Sequence, residues 1–188
     1  MMCKTQFFVA NSTSENKVSI VIRSNKLFRS LTEEIKSGLR VQPLPKRYRK
    51  CKKGVVYLEK YDLYTYADKK SRRQAELLPY GIDDPVANEW SSNRILINEG
   101  SLDDSLLFAK ACLVSLAHVL CRIGEPFRIV VCYNPPEPND TFDGIDCTLS
   151  FYKIRPKLPD VFDHNIEDYS SALLFYDITP DCSHSDCL

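Results

Sequence analysis

The sequence has little glycine and histidine, and it lacks the short motifs of common catalytic and nucleotide-binding sites. Only 6 of its 188 residues are glycine and 3 are histidine. It contains no Gly-x-Gly-x-x-Gly, Walker lysine loop, Gly-x-Ser-x-Gly, His-Glu-x-x-His or Cys-x-x-Cys. The chain therefore has few glycines from which to form a loop whose backbone amides bind a phosphate. We expect a protein that is not an enzyme and that needs no cofactor.

Long apolar runs are also missing. The N-terminus has no signal-peptide core, and no uninterrupted stretch approaches the roughly 18 apolar residues of a membrane span. The eight cysteines are too sparse for a disulfide scaffold, and Cys112, Cys121 and Cys132 occupy apolar helix or strand positions. We expect reduced thiols in a cytoplasmic protein. A disulfide between Cys132 and Cys147 across a hairpin is the alternative.

The net charge of zero conceals an uneven distribution along the chain. Residues 1–94 contain 19 Lys and Arg against 10 Asp and Glu, a net charge of +9. Residues 95–188 contain 6 against 15, a net charge of −9. Such opposite halves either pair with each other inside the fold or present opposite patches to partners.

Residues 93–133 contain the most regular pattern: a short apolar strand, a long helix and a second strand. Ser101 and Asp104 have the spacing of a capping box, and Gly124 and Pro126 mark the end of the helix. At about 100° per residue, the polar positions of the helix fall within an arc of roughly 140°. Most of the helix is therefore expected to be buried against a sheet.

The remaining segments predict a single α+β domain over residues 1–180 and a flexible tail over 181–188. Its sheet is expected to be mixed or mainly antiparallel and to pack against the central helix 101–122, with a smaller N-terminal helix from residue 27. Residues 147–154 are expected to pair antiparallel with 127–133. Further expectations are strands within 4–10, 17–23, 54–66 and 171–178, an exposed helical turn at 67–78, no regular structure at 46–53, and loops at 86–92 and 160–168.

Histidines and cysteines provide few candidate bases, nucleophiles or ligands. His118 lies in the polar arc of the central helix and His164 lies in an acidic loop, so a solvent-facing position explains both. An enzyme using His118 or Cys112 would need a second titrating group that the sequence does not reveal. Three tail residues have side chains that zinc accepts, without the usual four-ligand spacing: Cys182, His184 and Cys187. No metal site is predicted.

A basic run precedes the predicted strands of residues 54–66. Six of the eight residues from 46 to 53 are Lys or Arg. These cations could contact phosphates while the tyrosine stacks on a base, which defines the alternative function, a nucleic-acid-associated module. Its candidate residues are Lys46, Arg47, Tyr48, Arg49 and Lys50. The chain's zero net charge argues against direct nucleic acid binding, and a solvated loop explains the run equally well.

Acidic residues interleaved with aromatic side chains follow two of the C-terminal strands. Carboxylates around aromatic anchors suit a surface that attracts a basic protein electrostatically and then buries the rings. The same composition is typical of solvated loops with local turn chemistry. Antiparallel pairing puts the two acidic groups at opposite ends of a hairpin unless the second loop folds back. The candidate partner-binding residues are Glu137, Asp140, Phe142, Asp143, Asp146, Asp163 and Asp168.

These features together resemble the immunity proteins of bacterial polymorphic toxin and contact-dependent growth inhibition systems. The resemblance is general, and it is carried by the helix 101–122 between strands, the acidic loop 134–146 and the last strand 171–178. It implies an antitoxin that binds and neutralises a cognate toxin domain, such as a basic nuclease, with no membrane involved. The basic run at 46–53 would repel such a toxin, so it would have to lie on another face.

Overall fold

The computed structural model describes residues 3–7, 18–34, 48–98, 101–134 and 146–180. Within these ranges, eight strands and five α-helices follow the order β1 (Cys3–Phe7), β2 (Val18–Ser24), α1 (Lys26–Glu34), α2 (Lys50–Lys53), β3 (Val55–Leu58), β4 (Leu63–Tyr66), α3 (Lys69–Glu76), α4 (Pro85–Ser92), β5 (Ile95–Ile97), α5 (Leu102–Cys121), β6 (Phe127–Asn134), β7 (Asp146–Lys153) and β8 (Ala172–Pro180). The predicted α+β class is confirmed.

Six strands form one sheet in the order β1-β2-β8-β6-β7-β5, and every pairing in it is antiparallel. β3 and β4 form a separate hairpin. The pairing of residues 127–134 with 146–153 confirms the predicted central hairpin. The β1–β2 hairpin predicted near the N-terminus is also present.

The long helix α5 lies on one face of this sheet, called here the inner face. The amide of Asp104 donates to Ser101 Oγ at 3.1 Å, which confirms Ser101 as the predicted cap. The Asp104 carboxylate accepts from the Ser101 hydroxyl at 2.8 Å rather than from a backbone amide. Cys112, Leu116 and Leu120 are fully buried. Of the predicted polar positions, Asp104, Lys110, His118 and Arg122 are exposed and Ser115 is half-buried, whereas the apolar Val114 is exposed against expectation.

The α5 window Asp104–Cys121 is long and apolar enough to cross a membrane by composition alone. Of that window, 61% is buried inside the fold, as in a helix that forms the core of a sheet protein. Strands on the inner face contribute Phe127, Ile129 and Phe151, all fully buried, to the same core.

A second apolar cluster covers the opposite, outer face of the sheet. It joins Val86 of α4 to Val130, Tyr152 and Phe175 of the strands. The segment between β7 and β8, residues 154–171, packs against this cluster and is called here the return segment. The sheet is therefore buried on both faces over its central strands.

Two local predictions were wrong. Residues 86–92 form helix α4 rather than a loop: Asp84 caps the Ala87 amide at 2.9 Å and Pro85 occupies the first turn. The Asp-Pro pair is compatible with either a turn or the start of a helix. Here one face of α4 is buried, which favours the helix. Residues 50–53 form the short helix α2 instead of irregular chain, because Cys51 is buried in the inner core.

The disulfide alternative is also excluded. Tyr133 lies opposite Cys147 and Cys132 lies opposite Thr148 in the β6–β7 register, so the two sulfur atoms point to opposite faces of the sheet. Both residues are thiols, as are Cys51, Cys112 and Cys121.

Candidate functional site

The return segment lies across the sheet because of the strand order. β7 and β8 are both antiparallel to β6, so they run parallel to each other. β7 ends where Lys153 pairs with Phe127, whereas β8 begins where Ala172 pairs with Tyr133. The chain must therefore travel back along β6, about 20 Å at the rise of an extended strand. The sequence left open whether the second acidic loop folds back towards the first, and the structure shows that it does.

A buried charge network holds the first part of the return segment. Arg128 of β6 donates to both carboxylate oxygens of Asp177, at 2.6 and 3.2 Å, and also to the carboxylate of Asp160. The Tyr152 hydroxyl donates to Asp160 at 2.6 Å. Burial raises the pKa of Tyr152, and the hydrogen bond to Asp160 raises it further, so this phenol stays protonated. The two carboxylates are used structurally and are not available to a partner.

An aromatic cluster holds the middle of the segment. The Phe162 ring lies 5.0 Å from the Phe175 ring, 5.4 Å from that of Tyr169 and 6.3 Å from that of Trp90, between ring centroids. Phe162 and Tyr169 are half-buried. Their contacts place the segment on the sheet and leave their outer edges at the surface.

The two acidic residues predicted in the return segment are both exposed. Asp163 lies 3.5 Å from the His164 imidazole, and no described cation pairs with Asp168. Glu167, which the sequence argument did not select, accepts from the Lys26 amide at 2.7 Å and from Arg29 at 2.9 Å. These bonds lower the pKa of Glu167 and tie α1 to the return segment.

The end of the return segment meets the base of the first acidic loop. The Ser171 hydroxyl donates to Asn134 Oδ1 at 2.6 Å, and Asn134 pairs with Asp146 across the β6–β7 ladder. Both acidic stretches are therefore attached at the Asn134 end of the sheet. Of the remaining candidates, Glu137, Asp140, Phe142 and Asp143 lie outside the described residues, as does the Asp146 side chain.

The described part of the basic run has a different arrangement from the one predicted. Tyr48 is buried, and its ring lies 5.8 Å from that of Phe108, so it is not an exposed ring for stacking on a base. Arg49 is exposed and Lys50 is half-buried. Lys46 and Arg47 lie outside the described residues.

Lys50 instead lines a pocket of about 650 Å³ next to the edge strand β5. Lys70 of α3 and Arg94, which follows α4, line the same pocket. Polar side chains of Tyr48, Gln74 and Ser91 complete the wall, which continues onto Ile95 and Leu96. This cavity is called here the basic pocket. Sequence reasoning missed it because its three cations come from separate elements.

A buried carboxylate outside these surfaces also went undetected in the sequence. Glu89 of α4 is fully buried and accepts four hydrogen bonds, from the amides of Tyr64 and Lys153 and from both terminal nitrogens of Arg155. Burial raises the pKa of Glu89, and the four donors oppose that effect. A carboxyl surrounded only by donors is held as the carboxylate, and its role is to join α4 to β4 and β7.

The two residues considered as alternatives for a catalytic role, His118 and Cys112, lie in different environments. His118 is exposed on α5, whereas Cys112 is fully buried beside Cys51 and Tyr66 in the inner core. A hydrogen bond from Cys112 lowers the pKa of Cys51, although burial opposes it. The side chains of Cys112 and Cys51 are 0% and 1% exposed, so neither thiol is accessible to a substrate. Within the described ranges, no three His, Cys, Asp or Glu side chains form a metal-binding group; Cys182, His184 and Cys187 lie outside those ranges.

No family model, curated protein or solved structure matches the chain. The class defined by the fold is an α+β protein with an antiparallel sheet and one long core helix.

Proposed function

We propose that the protein is an immunity protein that binds a basic toxin domain at the Asn134 end of its sheet. The observation that carries this proposal is the path of the return segment. Because this segment runs back along β6, Asp163 and Asp168 approach the end at which the first acidic loop is also attached. The second acidic stretch therefore ends beside Asn134 and Asp146, the two strand ends that the first acidic stretch connects.

The contacts that hold the return segment on the sheet favour a binding role for its exposed surface. The return segment is held by the Arg128 network and by the Phe162 ring contacts, so Asp168 belongs to a segment that is already ordered before binding. A preorganised surface avoids part of the entropy cost of association. Exposed carboxylates at such a surface accelerate encounter with a basic protein.

The positive charge of the N-terminal half is compatible with this proposal. Arg23 pairs with Asp177 at 2.8 Å and Arg29 pairs with Glu167 at 2.9 Å, so part of the opposite charges pair inside the molecule. The basic pocket is built from α2, α3 and the β5 edge, at the side of the sheet away from β8. A basic partner at the return segment is therefore not required to approach that pocket. The proposed location is the bacterial cytoplasm.

The test uses the toxin gene expected immediately upstream in the native genome. Co-expression of this protein should restore growth of cells that express that toxin. With the purified pair, Asp163→Lys with Asp168→Lys should slow association roughly tenfold at low salt, with a smaller effect at high salt, where charges are screened. The matched control is Asp83→Lys, an exposed carboxylate on the turn before α4.

Growth that is not restored, or a metabolic operon in place of a toxin gene, would reject the immunity role. Restored growth with equal association rates for the double variant and the control would reject this surface while leaving the role intact.

A further inference from the structure

The basic pocket brings together three cations that form no ion pair with any described carboxylate. Lys50, Lys70 and Arg94 come from α2, α3 and the residue pair before β5. Among the described residues, no carboxylate forms an ion pair with any of the three. Asp68 is the carboxylate that attracts Lys50, and its oxygens already accept the amide and hydroxyl of Ser71. Like charges held together without a partner favour an anionic ligand.

Aromatic rings hold two of these cations in place. The Lys50 ammonium lies 5.6 Å from the centroid of the Tyr66 ring, and the Arg94 guanidinium lies 5.8 Å from that of Trp90. Both contacts are within the range of cation–π attraction. Burial lowers the pKa of Lys50 and nearby Lys70 lowers it further, against the attraction of Asp68. An anion in the pocket would favour the charged form of Lys50, which couples binding to its protonation.

The other residues that line the pocket indicate which kind of anion would bind there. Gln74 and Ser91 supply neutral donors of the kind that accompany Lys and Arg at phosphate groups. Ile95 and Leu96 add an apolar wall, and Leu96 is 60% exposed. A volume of about 650 Å³ lies within the range of small-ligand sites and far exceeds that of one phosphate ion.

We infer that the basic pocket binds a small organic phosphate with two or three negative charges, of the size of a nucleoside diphosphate. The cations contact the phosphates and the β5 wall contacts the organic part. A long nucleic acid strand fits less well, because Tyr48 is buried and the pocket is bounded by four elements. This inference is independent of the immunity proposal, since it uses none of the acidic residues.

Calorimetric titration of the intact protein with adenosine diphosphate tests the inference. Binding is expected in the micromolar to low millimolar range at low salt, weakened at least fivefold by Lys70→Gln and by Arg94→Gln. Both changes are at exposed positions, so the fold should persist. The matched control is Lys69→Gln, the exposed neighbour on α3 that does not line the pocket, which should bind as the unmodified protein does. Thermal stabilisation by the ligand provides a second readout.

Three results would overturn the inference. Absence of heat and of thermal stabilisation at roughly 10 mM adenosine diphosphate, above the expected dissociation constant, would exclude binding. Equal weakening by Lys69→Gln and Lys70→Gln would show that binding depends on the overall positive charge of α3 rather than on the residues that line the pocket. Equal or tighter binding of inorganic pyrophosphate, or much tighter binding of a short single-stranded oligonucleotide, would assign the pocket to a different ligand class.

Discussion

At the scale of single residues, the most demanding feature is the buried carboxylate of Glu89. Four donors satisfy its two oxygens, and the Arg155 side chain that supplies two of them is only 8% exposed. A buried pair of this kind costs desolvation when it forms, and removing one partner leaves an uncompensated charge. The contribution of the Glu89–Arg155 pair to stability is therefore measured by replacing one of the two residues.

Glu89→Gln should lower the free energy of unfolding by roughly 3–5 kcal/mol. The amide keeps the shape of the side chain but turns one oxygen into a donor facing donors from Lys153 and Arg155. Urea unfolding at pH 7 measures the loss. Glu76→Gln, at an exposed position on α3, should change stability by less than about 0.5 kcal/mol. A loss of under 1 kcal/mol for Glu89→Gln would contradict the network described above.

Asp68 gives a residue-scale prediction that depends on pH. Burial by itself would raise the pKa of Asp68, but the hydrogen bonds from the amide and hydroxyl of Ser71 lower it overall. A carboxylate whose folded pKa is depressed stabilises the fold above its unfolded pKa of about 3.9, and that contribution is lost as pH falls through the folded value. The cap of α3 should therefore weaken only in acid.

The measurement compares unfolding free energies of the unmodified protein and Asp68→Asn between pH 2.5 and 7. Asparagine retains a cap acceptor without the charge, so the expected difference is roughly 0.5–1 kcal/mol at neutral pH and shrinks towards zero at the acid end. A difference that grows on acidification would contradict the sign. Asp83→Asn, on an exposed turn, should show no such trend.

At the scale of elements, the return segment depends on a few contacts with the strands beneath it. Asp160 accepts from Arg128 and from the Tyr152 hydroxyl, and its Oδ1 also accepts from the Phe162 amide at 3.0 Å. The segment has little regular structure of its own apart from one 3-10 turn at Ile166–Asp168. These contacts should decide how often it opens.

Asp160→Asn should make the return segment open more often without unfolding the sheet. Loss of charge-assisted hydrogen bonds of about 1.5 kcal/mol corresponds to roughly tenfold faster hydrogen exchange at the Phe162 amide. Exchange at Val130, in the middle of β6, should change much less. Asp163→Asn is the control, because that side chain is exposed and lies 3.5 Å from His164 of the same segment. Equal acceleration at Val130 would indicate global rather than local opening.

At the scale of the whole molecule, opposite charges and shared layers join the two halves of the sequence. Arg23 and Arg29 of the positive half pair with Asp177 and Glu167 of the negative half. β2 of the first half completes the sheet beside β8 of the second. The proposed single domain over 1–180 therefore predicts one cooperative transition.

Trp90 offers a local probe of that cooperativity. It is the only tryptophan, it belongs to α4, and its ring contacts the Phe162 ring on the opposite side of the sheet from α5. Its fluorescence and the far-UV circular dichroism dominated by the helices should give the same urea midpoint. A fluorescence transition that clearly precedes loss of helix would show that the outer layer unfolds independently. The Asp160→Asn variant should keep the two midpoints together.

Local signals in the sequence determined the central elements and the fold class. The capping pair Ser101 and Asp104, the periodicity of α5 and the alternating residues of β6 and β7 act over a few neighbouring residues, so they can be recognised without the fold. Only the tertiary structure decided that α4 is a helix, that β8 pairs with β6, that Glu89 meets Arg155, and that Lys50, Lys70 and Arg94 line one pocket. Each of these depends on burial or strand order between distant segments, and no local pattern encodes which distant segment will be the neighbour.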